Sequence, residues 1–296
     1  MRFDELDLED EILDGLDDMN FQEMTPVQEH TIPVILEGRD IIGCAQTGTG
    51  KTAAYTLPLL NRLLIEGNED NVIKSVIIVP TRELAQQIDQ QFQGFSYYLP
   101  VSTTVVYGGG DGKGWDVQKR GMLMGSDVVI ATPGRMISHI QNSGIDLSHV
   151  ECLILDEADR MLDMGFFPDV KRIVKFLPKK RQTLLFSATI PAEIADLAEK
   201  MLHEPEHISV TPSAKPADKI EQQLYFVEKQ EKRELLPDII RQSNVHQVLV
   251  FTRTKHGADR VARDLNRAGI KTKSIHGDKS QNQRQRALAD FKECKI

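Results

Sequence analysis

The chain has 296 residues, 40% apolar and 27% charged, enough for one large globular domain or two ordinary ones with an ample core. No apolar run approaches the ~18 residues that cross a membrane, and the acidic N-terminus is unlike the basic start of a secretory signal, so a cytoplasmic protein with no membrane partner is expected. The net charge of −8 argues against binding nucleic acid by bulk charge, although residues 220–296 carry 16 Lys/Arg against 10 Asp/Glu and are basic by themselves.

The first periodic stretch is Leu8, Ile12, Leu16 and Met19, with acids between them, which predicts an amphipathic surface helix over 7–19. Thr25 and Pro26 have the chemistry of an N-cap and a first helical residue, opening a helix through Leu36. Phe3 stands alone, well before Asn20 and Phe21. From Asp40 onward one arrangement repeats: a short apolar run, a polar cluster, then a helical pattern. Ile41-Ile42 lead to Ala45–Thr52, Val76–Val79 to Pro80-Thr81-Arg82, and Thr104–Val106 to Tyr107-Gly108-Gly109. Val128–Ala131 lead to Thr132-Pro133-Gly134-Arg135, Cys152–Leu155 to Asp156-Glu157-Ala158-Asp159, and Leu184–Phe186 to Ser187-Ala188-Thr189.

Continuous apolar strands alternating with helices predict an α/β fold, a parallel sheet covered by helices on both faces. All strand C-terminal ends then share one edge, where ligands bind. Any one of these clusters also reads as an ordinary strand-to-helix turn; the recurrence of the pattern is what argues for a site. Residues 1–209 are expected to form this domain. Residues 210–219, with two prolines and no period, read as a linker. Strands at 223–227, 248–251 and 272–275, with helices from Lys232, through Leu265 and through Phe291, make residues 220–296 the first half of a second domain of the same kind.

The phosphate chemistry starts at Ala45-Gln46-Thr47-Gly48-Thr49-Gly50-Lys51-Thr52. Gly48 and Gly50 let backbone amides curl round an anion, and a helix N-terminus adds its unpaired N–H groups. Lys51 is spaced to reach the β- and γ-phosphates and Thr52 to put a hydroxyl on Mg²⁺, although the usual first glycine of the pattern is Ala45. Asp156-Glu157 then suit a division of labour, one carboxylate holding Mg²⁺ and the other polarising water. The competing reading is a solvated acidic helix start. Cys44, Cys152 and Cys294 read as reduced thiols rather than a disulfide or metal framework. His203 and His207 have the spacing of a metal pair, but Pro205 between them predicts a solvated turn. Trp115 is expected to pack on a helix rather than to serve as a base-stacking platform.

These motifs, in this order, resemble those of the DEAD-box RNA helicases, whose phosphate loop has alanine where Ala45 stands. The whole chain is similar to that family, and most to its bacterial RhlE-like branch; Asp159 favours the DEAD-box group over DEAH relatives, which have histidine there. The resemblance implies RecA-like, P-loop NTPase domains and an ATP-dependent RNA helicase, an enzyme using ATP and Mg²⁺ to remodel short RNA duplexes, working as a monomer. It implies that Phe21 stacks on adenine and Gln28 reads its edge, and that Gln46, Thr47, Gly48, Thr49, Gly50, Lys51 and Thr52 hold the phosphates. Thr52 and Asp156 would hold the metal, partly through water. Glu157 would be the catalytic base, and Ser187 and Thr189 would bond back towards Asp159.

By the same resemblance, Thr81, Arg82, Gly109, Thr132 and Arg135 would grip RNA phosphates and sugars, joined by Arg253, Gln281 and Arg284 of the second domain. Asn20 and Met24 depart from the family's usual Gly and Pro. The later second-domain motifs, with the arginines that reach the γ-phosphate, have no counterpart before Ile296, so hydrolysis by these residues alone is expected to be weak. Two other readings stay open: a clamp that binds ATP and RNA without unwinding, and a P-loop kinase or DNA translocase whose chemistry ignores RNA.

Overall fold

Each apolar run after Asp40 is β-branched or aliphatic on both of its alternating faces, so neither face is suited to water. In the computed structural model these runs become strands β1 (Ile41–Cys44), β2 (Ser75–Ile78), β3 (Thr103–Val106), β4 (Val128–Ala131), β5 (Cys152–Leu155) and β6 (Gln182–Ser187). A seventh strand, β7 (Glu206–Ser209), was not expected. It is an edge strand whose alternating, half-exposed residues lack the apolar run that marks the others. The structure describes residues 1–46, 48–67, 71–109, 112–210, 221–228, 231–242 and 246–296, with residues 112 and 113 by their backbone alone. It divides into two compact units, Met1–Pro216 and Ala217–Ile296.

In the first unit the strands form one parallel sheet in the order β3-β4-β2-β5-β6-β1-β7. Successive residues of a strand serve opposite layers. Ile41, Ile77, Ile154 and Leu184 face a core built with α2 (Pro26–Leu36), α3 (Lys51–Glu66) and α4 (Arg82–Phe95). Ile42, Ile78, Leu153, Leu155 and Leu185 face a second core. That core includes α6 (Pro133–Asn142), α7 (Ala158–Asp163), α8 (Phe167–Val174) and α9 (Ala192–Met201). At Gly43 the strand packs closely against its neighbour, since a Cβ there would sit 2.7 Å from the Phe186 ring. The predicted N-terminal helix is α1 (Asp10–Asp18), with Ile12 and Leu16 buried against the first core.

At the opposite edge of the sheet, buried Asp40 ties three segments together. Its carboxylate accepts from the amides of Thr183 and His203, each at 2.7 Å. Gln182 adds bonds to the carbonyls of Ile35 and Arg39. His203 thus serves as a backbone donor at the bend before β7, whereas His207 lies on β7 itself rather than in the expected turn. Among the described residues no group of three or more His, Cys, Asp or Glu could hold a metal ion, and no helix is long and apolar enough to cross a membrane.

The second unit departs from expectation. Its helices α10 (Lys232–Gln242), α11 (Lys255–Arg267) and α12 (Gln281–Lys292) form where predicted. No strand forms at 223–227, 248–251 or 272–275 among the described residues. A strand exists only when a neighbour completes its ladder of hydrogen bonds. Here Leu224, Phe226, Leu249 and Phe251 stay largely exposed, Phe226 and Phe251 at 93%. Of the expected linker, Val210 belongs to the first unit, where its amide bonds Cys44; residues 211–219 lie outside the described residues.

Candidate nucleotide and nucleic-acid site

The strand ladder runs one residue past the strand ends and so positions the functional loops. Thr132 N donates to Val106 O, Val79 N to Ala131 O, Asp156 N to Ile78 O, and Ala45 N to Ser187 O. Along one edge, Tyr107–Gly109, Thr132 and Thr81-Arg82 therefore follow neighbouring strands β3, β4 and β2. Asp156-Glu157, Ser187 and the glycine loop follow β5, β6 and β1. The six clusters form two adjacent groups.

In the second group, Gly48 and Gly50 adopt left-handed backbone at φ 84° and 89°, and α3 starts directly after them. Thr47 lies outside the described residues. Gln46 is exposed and its carbonyl accepts from Thr49 Oγ1 at 2.7 Å. Buried Lys51 places Nζ 3.7 Å from Asp156 Oδ1, and half-buried Thr52 follows it. Sequence reasoning missed Tyr55, which lies one turn along α3. Its fully buried phenol donates to Asp156 Oδ2 at 3.0 Å. Burial raises the Asp156 pKa, opposed by Lys51 and by the Tyr55 hydrogen bond. Burial also holds the Tyr55 phenol protonated, the Asp156 charge adding to the effect, so it stays a donor.

Glu157 turns the chain with φ 54° and ψ 51°, a left-handed conformation that non-glycine residues adopt at a cost of about 1–2 kcal/mol. The turn brings its amide back onto Asp156 Oδ1 at 2.8 Å. The Glu157 carboxylate pairs with Arg160 at 3.0 Å. Ser187 Oγ accepts from the Asp159 amide at 3.1 Å and donates to the Thr189 carbonyl. Thr189 bonds Asp159 Oδ2 through both its amide and its hydroxyl, at 3.0 and 3.1 Å. The loops after β5 and β6 are thereby one hydrogen-bonded unit.

The segment expected to meet adenine is enclosed. Gln28 is 1% exposed; its Oε1 accepts from Thr25 N at 2.8 Å and its Nε2 donates to Gly50 O at 3.1 Å. One lone pair and one amide hydrogen remain, which is what an adenine edge uses, but a base reaches them only if the segment opens. Phe21 is half-buried and lies edge-on to Phe95 at 5.2 Å and to Phe3 at 6.5 Å, so Phe3 does not stand alone.

The first group is built of arginines on flat rings. Thr81 caps α4, its hydroxyl accepting from Leu84 N, and Arg82 lies 4.4 Å over the Tyr107 ring. Gly109 turns with φ 87° beside it. Thr132 caps α6, on which Arg135 lies 4.6 Å over the Trp115 ring. Helix N-termini and guanidinium groups with no carboxylate partner among the described residues together suit phosphate and sugar contacts. In the second unit Arg253 is exposed just before α11, and Gln281 and Arg284 occupy the first turn of α12.

A seven-stranded parallel sheet with a glycine loop after one strand and a carboxylate pair after another defines a RecA-like P-loop fold. The chain belongs to the DEAD/DEAH box helicase family, which matches residues 25–197; a helicase conserved C-terminal domain matches residues 231–296. It is 42% identical over 295 residues to the ATP-dependent RNA helicase CshA of Listeria monocytogenes, covering 100% of this chain and 56% of that protein. It is 39% identical over 292 residues to the DEAD-box ATP-dependent RNA helicase CshA of Streptococcus pneumoniae, covering 99% of this chain and 55% of that one. The crystal structure of a DEAD box protein from the hyperthermophile Methanococcus jannaschii superposes with a TM-score of 0.66 at 37% identity, covering 100% of this chain and 78% of that chain. The chain spans about half the length of the curated relatives it matches.

Proposed function

We propose that the chain is the ATP- and RNA-binding part of an ATP-dependent RNA helicase acting in the cytoplasm. The observation that carries this reading is the division of one sheet edge into a phosphate group after β1, β5 and β6 and an arginine group after β2, β3 and β4. Placement in the RhlE-like branch rests on motif resemblance alone, the relatives above being named CshA.

Gly48, Gly50 and the α3 N-terminus receive the triphosphate, and Lys51 counters its charge. The hydroxyl of Thr52 and the carboxylate of Asp156 are hard oxygen donors that fit Mg²⁺, which when bound would neutralise charge on the phosphates. Tyr55 and the Glu157 amide fix the orientation of Asp156. Glu157, freed from Arg160, orients and deprotonates the attacking water. Ser187, Thr189 and Asp159 tie that centre to its neighbouring loop, while Thr81, Arg82, Gly109, Thr132 and Arg135 hold RNA by phosphate and sugar. Arg253, Gln281 and Arg284 would extend the RNA contacts, and local strain on a short duplex would separate it.

The absence of a strand ladder among the described residues of the second unit favours a second reading, a clamp that binds ATP and RNA with little turnover. A steady-state ATPase assay of residues 1–296, with and without single-stranded RNA, separates the two. RNA-stimulated turnover that collapses in Glu157→Gln while nucleotide binding persists supports the helicase reading. Binding of both ligands without turnover supports the clamp, and turnover indifferent to RNA overturns both.

A further inference from the structure

Arg135 is held by residues that no motif predicted. Its Nε donates to Gln118 Oε1 at 2.9 Å, and its guanidinium lies over Trp115. Gln118, on α5 (Gly112–Leu123), is 7% exposed, and its Nε2 donates to the Tyr107 carbonyl at 3.1 Å. That bond fixes the orientation of the amide and leaves Oε1 as acceptor for two donors, Arg135 Nε and His139 Nε2, the latter at 3.1 Å. His139 Nδ1 is then the acceptor for the Ser143 hydroxyl at 3.2 Å. The His139 ring also stacks against Trp115, with centroids 3.8 Å apart and planes 16° apart.

The cradle is neutral. Burial pushes the His139 pKa down to about 4, helped by the positive charges of Arg135 and Lys119, so the imidazole carries no charge near pH 7. No carboxylate pairs with Arg135 among the described residues, and burial alone lowers its pKa. Side chains that orient a cation, desolvate it and offer no counter-charge leave its terminal nitrogens for an external anion. Arg82 repeats the design over Tyr107, whose backbone carbonyl the same Gln118 holds.

We propose that Trp115 and Gln118 are positioning residues that hold the Arg135 guanidinium edge-outward for an RNA phosphate. The proposal rests on the RNA-binding function inferred above. A structural role alone would weaken folding or binding equally whether or not Arg135 is present, whereas a positioning role acts only through it. Because Trp115 is the one tryptophan of the chain, its emission reports directly on this contact.

The test uses the 296-residue chain and a labelled single-stranded oligouridylate, with affinity read by fluorescence anisotropy at low salt. Trp115→Leu and Gln118→Leu should each weaken binding about 3- to 10-fold, as expected for losing a stacked or hydrogen-bonded guanidinium contact, and Trp115→Phe should recover most of it. In the Arg135→Ala background the same changes should have less than about a 1.5-fold effect. Arg135→Lys, which keeps charge but loses the Nε bond and planar stack, should bind as weakly as Arg135→Ala. Trp115 emission should change with RNA in the wild type and not in Arg135→Ala. Equal losses with and without Arg135, or full binding by Arg135→Lys, would overturn the proposal. If Arg135→Ala binds normally while Arg82→Ala binds weakly, the proposal fails and the RNA-binding function stands. If the wild type binds no RNA even at low salt, that function fails and the proposal with it.

Discussion

At the scale of single residues, Gln28 carries two tasks through one amide. It fastens the segment before α2 to Gly50, and on the function proposed above its remaining donor and acceptor would match an adenine edge. Gln28→Ala should therefore narrow the preference for ATP over GTP, since a bidentate amide is worth roughly 1–3 kcal/mol of base discrimination. Parallel titrations with fluorescent ATP and GTP analogues would measure this, and an unchanged ratio of affinities would remove the adenine assignment. His139 gives a pH-dependent signature. Its ordinary value of 6.5 falls to about 4 on folding, through burial first and then the charges of Arg135 and Lys119. Below about pH 6.5 the unfolded chain takes up a proton that the folded chain refuses, so this contribution to stability is present above that pH and is lost as pH falls towards 4. The stability gap between wild type and His139→Gln, from urea unfolding at pH 7, 5.5 and 4.5, should shift steadily in favour of the variant as pH drops. A constant gap would show that His139 titrates normally.

At the scale of elements, the clamp formed by Asp40 shows how the edge away from the site is held. One buried carboxylate satisfies amides at the start of β6 and in the turn before β7, while Gln182 closes the end of α2. Asp40→Ala leaves the buried Thr183 amide unpaired, at about 1–3 kcal/mol, and frees the part-buried His203 amide as well. Thermal unfolding should fall by several degrees without loss of nucleotide affinity at temperatures where the chain stays folded. A drop in affinity as large as the drop in stability would mean that the two edges of the sheet are coupled. The same logic explains Gly50. At φ 89°, with a hypothetical Cβ only 2.5 Å from Gln28 Nε2, no other residue lets the loop and the adenine segment approach so closely.

At the scale of the whole molecule, charge bears on how RNA would be held under the proposed function. The chain carries a net −8, and on the function proposed above Arg82, Arg135 and a few helix N-termini are the groups of the described residues that would meet a phosphate on this edge. Few cations mean few released counterions. The slope of log affinity against log salt for single-stranded RNA should thus be small, roughly 1.5–3, and Arg82→Ala should lower it by about 0.7. Anisotropy titrations across a salt series would give the slope. A value near 10 would point to binding by bulk charge, through the basic second unit rather than the strand edge.

Much of this was legible without coordinates, wherever the signal is local. Continuous apolar runs specify strands buried on both faces, Gly48-Thr49-Gly50-Lys51-Thr52 specifies a tight glycine turn that opens a helix, and Thr25-Pro26 and Thr132-Pro133 specify helix starts, because backbone sterics and capping act over a few residues. The polar edge strand β7 escaped, since half-exposed residues carry no apolar run. The three strands expected after the linker did not form, because pattern predicts a strand but a neighbour must complete its ladder. The order β3-β4-β2-β5-β6-β1-β7, which sets the Arg82 and Arg135 loops beside each other and the glycine loop in the same group as the Asp156-Glu157 loop, was not readable from the sequence either. Nor were Phe3 against Phe21, Tyr55 on Asp156, or Gln118 and Trp115 around Arg135. These pairings join residues from separate elements, and only the burial of two cores against one sheet brings them within reach.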